Sequence, residues 1–158
     1  MSGGLWDDLK HARLLGHPIH MMLVHFPMGL WPFGFIFDLI GKFSGQASFA
    51  IAAFYCMAGG IAGALGAALF GAWDYLAIPS EHKSWKTASV HALLNVIWLM
   101  VWVVLWAMRL KQYPEIQPAT NLVLVSEAAS VLGLMVSAHL GGELVLRHHL
   151  GMIDTQAR

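Results

Sequence analysis

Along this chain, long apolar runs alternate with short polar interruptions. Four runs stand out, at about 19–40, 47–73, 88–108 and 119–146. Each has the roughly 20 residues that about 30 Å of hydrocarbon demands of a helix. The pattern predicts a single all-α domain over 1–158, an integral membrane four-helix bundle with both termini on the same side. Pro27 and Pro32 interrupt the first run, which predicts a kinked helix there. Gly59, Gly63, Ala67 and Gly71 recur every four residues in the second. That spacing puts small side chains on one helix face, suited to close packing or to a planar cofactor.

Composition strengthens the membrane reading. Hydrophobic residues make up 58% of the chain and charged ones 11%, against about 25% charged in an ordinary soluble domain. The neighbour of these helices is therefore lipid. A formal net charge of zero argues against nucleic acid as a partner. Cys56, the single cysteine, has no intramolecular disulfide partner. No removable signal peptide is expected, and Met1-Ser2 does not fit myristoylation. No period of 20–50 residues repeats. Lys10, Arg13, Lys83, Lys86, Arg147 and Arg158 fall on the side of the termini, against Lys42, Arg109 and Lys111 opposite. The imbalance favours cytoplasmic termini.

Nine histidines change the picture. His17, His20 and His25 enter the first span, His91 opens the third, His139 lies near the end of the fourth, and His148 and His149 follow it. All belong to the side of the termini, where Asp74 closes the second span. His25 lies roughly 10 Å inside the boundary at 1.5 Å per residue, with His91 and His139 at similar depth. Ionisable groups at such depth usually face a bundle interior or a cavity.

Three readings of the cluster compete. Each histidine can simply hydrogen-bond in the core or at the interface. Imidazoles from facing helices can instead ligate haem iron axially. His25, His91 and His139 are the expected ligands, and His17, His20 and His148 bind propionates, a second haem or a separate metal. Trp98 and Trp102 follow His91 on its face, and Gly29 lies one turn beyond His25. The third reading is a copper, zinc or iron ion held by the same three histidines with Asp74 or Glu143. Glu143 is four residues after His139 on one helix face; Met21, Met22 and Met28 flank the histidines but are ordinary packing residues. Asn95 supports His91 from the second layer, and Glu127, the acid deep in the fourth span, relays protons or is held neutral.

Several segments together resemble the bacterial DUF2231 membrane proteins. They are Gly16-His17-Pro18-Ile19-His20, Leu23-Val24-His25-Phe26-Pro27-Met28-Gly29-Leu30 with Asp38, Gly71 to Pro79, His91 to Asn95, and Gly141 to His148. The resemblance implies a four-helix protein of the bacterial inner membrane, from a family named for having no assigned function. Members fused to a Rieske-type iron–sulfur domain hint at electron transfer. This chain has no Cys-x-His motif, so a redox partner would be a separate polypeptide. Where members usually show one histidine followed by glycine, it reads His148-His149-Leu150-Gly151.

The function expected is a haem b-binding membrane cytochrome subunit, passing electrons between a redox partner or quinone and another protein. It would be an electron-transfer subunit rather than a self-contained enzyme. The alternatives are a transition-metal transporter or sensor and a cofactor-free subunit of a membrane complex.

Overall fold

A computed structural model describes residues 13–14 and 17–150. Lys10 and Arg158, used above for orientation, lie outside them. A short antiparallel pairing of Arg13–Leu14 (β1) with His17–Pro18 (β2) leads into the helices. The first span is α1 (Ile19–Leu23) followed by α2 (His25–Ser44), the second α3 (Ala47–Leu76), the third α4 (Trp85–Leu110) and the fourth α5 (Asn121–Leu146). All four spans are long and apolar enough to cross a membrane.

The irregularity falls at Val24, where α1 passes into α2, and not at Pro32. Pro27 has no N–H for the carbonyl of Leu23, four residues back, so one helical bond is lost there. Val24 keeps helical dihedrals (φ −62°, ψ −20°), and helical bonds with His20 and Met28 carry the path through. In the first turn of α2, Pro27 costs no further intrahelical bond. Pro32 stays inside the helix. Gly45 ends α2 at φ +71°, and its N–H returns to the Gly41 carbonyl at 2.9 Å. The left-handed turn lets α3 begin two residues later. Thr120 caps α5, its hydroxyl accepting from the Val123 N–H.

Neighbouring helices form a ring: α2 on α3, α3 on α4, α4 on α5, α5 on α2. The small-residue stripe of α3 is the seam with the first span. A Cβ at Gly63 would stand 2.3 Å from Phe26, and others at Gly59 and Gly71 would strike Leu30 and His20. The stripe serves close packing, and first-span side chains fill the surface that a planar cofactor would need.

Across the ring, α2 and α4 meet through matching positions. Trp31 and Trp102 stack in the core, centroids 5.1 Å apart and planes 10° from parallel. One end of the bundle lies beyond them. There Asp38 accepts two hydrogen bonds from Arg109, at 2.5 and 2.7 Å, with both side chains buried. At the other end His91 lies within electrostatic reach of His20. Each pair is separated by 71 residues, and within each span the tryptophan and the charge follow the histidine by 11 and 18. Eighteen residues make five turns at 3.6 per turn, so histidine and charge share one face.

The partner helices match at an offset of 70. Gly63 packs on Phe26 and Pro27, and Gly133 on Trp98. Gly71 packs on His20, and Gly141 on His91. Buried Met57 of α3 corresponds to buried Glu127 of α5. The chain is thus two helical hairpins related by an approximate twofold along the bundle axis, on which equivalent residues meet.

Arg109, one residue beyond the third apolar run read from the sequence, belongs to α4 and to this axis. Beyond α5, His149 takes φ +54°.

Two outcomes follow. Gly133→Leu, whose added Cβ would stand 2.0 Å from Trp98, should cost about 1–3 kcal/mol and lower the melting temperature of purified protein. Gly142→Leu, with nothing within 4 Å, should not. His149→Gly should stabilise by about 0.5–1 kcal/mol in the same melting assay, because a left-handed backbone costs a side-chain-bearing residue about 1–2 kcal/mol and glycine's freer unfolded chain takes back part of that gain.

Candidate functional site

The site begins from the two hairpins. Each presents a histidine from the start of its first helix to a backbone carbonyl and a glycine on its second. The His20 Nδ1–H donates to the Ala67 carbonyl at 2.7 Å, and its ring lies against Gly71. The His91 Nδ1–H donates to the Ser137 carbonyl at 2.9 Å, and its ring lies against Gly141. Glycine four residues after the accepting carbonyl leaves room for the ring on both sides. A carbonyl only accepts, so Nδ1 carries the proton on both rings and Nε2 is left with its lone pair. This is the tautomer and anchoring found in metal-bound histidines.

Asn95 completes the His91 side. Its amide lies 2.8 Å from the Ser137 hydroxyl, 2.8 Å from the His91 carbonyl and 3.2 Å from His91 Nε2. Two N–H groups satisfy the two nearer acceptors, so the longer contact to Nε2 is the one a ligand can displace. Through Ser137, Asn95 makes an interhelical hydrogen bond between α4 and α5.

The remaining histidines divide. His25 is exposed and donates to the Met22 carbonyl at 3.2 Å. His139 is exposed beside a shallow groove with Gly142, Glu143, Leu146 and Arg147. Depth put these two level with His91, but they point outward from their helices, and His20 is the histidine brought to His91. Glu143 shares the groove with His139 and pairs with Arg147 at 2.9 Å. His17 is exposed at the entrance, and Asp74 is half-buried near the end of α3.

His82 was not foreseen as part of the cluster. It lies in the α3–α4 loop, and its Nδ1 accepts from the Ser84 hydroxyl at 2.6 Å. Its ring meets that of His148 edge-on, centroids 6.3 Å apart. His148 is half-buried, with an Nδ1 that has no hydrogen-bond partner, while His149 is exposed. Loop position on the histidine side was the one sequence signal for His82. Among the described residues no three His, Cys, Asp or Glu side chains gather into a group able to hold a metal ion.

At the opposite end, Glu127 is buried with both carboxyl oxygens lacking a hydrogen-bond partner. Ser130, one turn further along α5, donates to the Ser126 carbonyl. The groups acting on Glu127 are Asp38 and Arg109.

Comparison with curated proteins and with solved structures found no match. The family model described as "Predicted membrane protein (DUF2231)" matches residues 16–154, which include all four spans and both ends of the axis. The chain belongs to the DUF2231 family of predicted membrane proteins.

Proposed function

We propose that this protein is a haem b-binding subunit of the bacterial inner membrane, its termini cytoplasmic, that passes electrons between a redox partner or quinone and another protein. His20 and His91 would hold the iron through Nε2. The observation that carries the reading is the matched pair of imidazoles. Each is fixed through Nδ1 on a backbone carbonyl, cradled by a glycine, and left with Nε2 for a metal.

The donor set favours haem over a bare ion. Zinc or copper draws three or four ligands from the protein. Haem supplies four nitrogens of its own and asks for two imidazoles, which diagonal helices of a bundle can offer. Bound there, it would supply reversible one-electron chemistry. The stacked Trp31 and Trp102, both buried, lie between the pair and the far end of the bundle.

The test is a visible spectrum of the full chain produced with ample haem. A Soret band with sharp α and β bands on reduction is expected. His20→Ala and His91→Ala should each abolish the low-spin signature in folded protein, and His25→Ala and His139→Ala should retain it. Colourless wild type, or an unchanged spectrum in the His20→Ala/His91→Ala double variant, would overturn the proposal.

A further inference from the structure

The Asp38–Arg109 end holds a group that packing does not explain. Glu127 is completely buried, one of the larger such side chains in the core. The other hairpin fills the equivalent position with Met57, also completely buried. An apolar residue therefore satisfies this place in the fold, and the acid is an addition to it.

The charge count does not close either. Arg109 donates to both oxygens of Asp38, and a third bond from Nη2 reaches the Gln117 carbonyl at 3.3 Å. One guanidinium balances one carboxylate. Glu127, which Asp38 and Arg109 both act on, makes a second carboxylate and leaves an excess negative charge inside the bundle. Its two oxygens have no donor. Asp38 cannot supply one while ionised, because a carboxylate only accepts. Of the other ionisable groups at this end, Lys42 of α2 is turned to the Ala119 carbonyl at 3.2 Å. Cys56 of α3 lies within reach of Asp38 and is no cation. Ser130 is committed to Ser126.

We infer that Glu127 holds one exchangeable proton, shared toward Asp38 and balanced by Arg109, in a proton-binding site at the Asp38–Arg109 end of the membrane domain. The proton supplies the missing donor and restores neutrality in one step. Sodium would need several oxygen ligands, whereas both Asp38 oxygens are taken by Arg109 and only the Glu127 pair remains. The site lies toward the aqueous side, since Arg109, which holds Asp38, also bonds the carbonyl of Gln117 on an exposed loop. The buried Trp31–Trp102 stack lies between it and the histidines. The inference stands whether or not haem binds His20 and His91.

Infrared spectra of the full chain in lipid nanodiscs at neutral pH test it. Wild type should show a protonated-carboxyl C=O band that shifts down in D2O. The band should vanish in Glu127→Gln and in Glu127→Met, with helix content retained. Glu127→Met installs the residue that the other hairpin already buries, so it should fold. A wild type without the band, a band that persists in both folded variants, or one that appears only when sodium is withdrawn would each overturn the proposal.

Discussion

A charge placed in hydrocarbon must bring its opposite with it. Asp38 and Arg109 meet this demand across the whole bundle, from diagonally opposed helices 71 residues apart. Breaking a buried pair of this kind costs about 3–5 kcal/mol, because the survivor is left uncompensated. The bond therefore fixes more than two side chains. It sets the rotation of α2 and α4 about their own axes, and five helical turns away that rotation decides which histidines face inward. His20 and His91 are inward because Asp38 and Arg109 are. Trp31 and Trp102, between them on the same faces, follow the same rule.

The second helix of each hairpin is shaped to let this happen. Gly60, Gly63 and Gly71 on α3, with Gly133 and Gly141 on α5, yield to Trp31, Phe26, His20, Trp98 and His91 in turn. With no hydrophobic effect between helices in lipid, such close contact is the main source of association. The two hairpins differ where function would break symmetry. Asp38 faces Arg109 rather than its like, and Glu127 takes the place of Met57. Asn95 lies beside His91, and the matching position in the other hairpin is Val24, where α1 passes into α2.

The four spans were legible because their lengths and apolar character carry the signal, and depth along each helix followed by counting. Rotation about the helix was not legible. Helices apolar on every side have no polar face to mark outward, so His25, His91 and His139 looked equivalent while His20 looked peripheral. Assigning Arg109 to a loop hid the partner of Asp38, the one pair that would have fixed the rotation. The duplication was missed for a related reason: an offset of 71 exceeds the periods of solenoid repeats, and identity between 19–39 and 90–110 survives at His20, Leu23, Trp31 and Leu39. The departure at 148–151 has a backbone explanation. His149 adopts a positive φ, a conformation glycine takes freely, while His148 is the residue turned toward His82.

The central claim is that equivalent residues of two hairpins meet on one axis, and exchanging the charges on that axis tests it most directly. Thermal unfolding of the full chain would be compared for Asp38→Arg, Arg109→Asp and the double exchange. Each single variant should lose about 3–5 kcal/mol, and the exchange should recover most of it because each charge again meets its opposite. A double variant whose losses simply add would contradict the account.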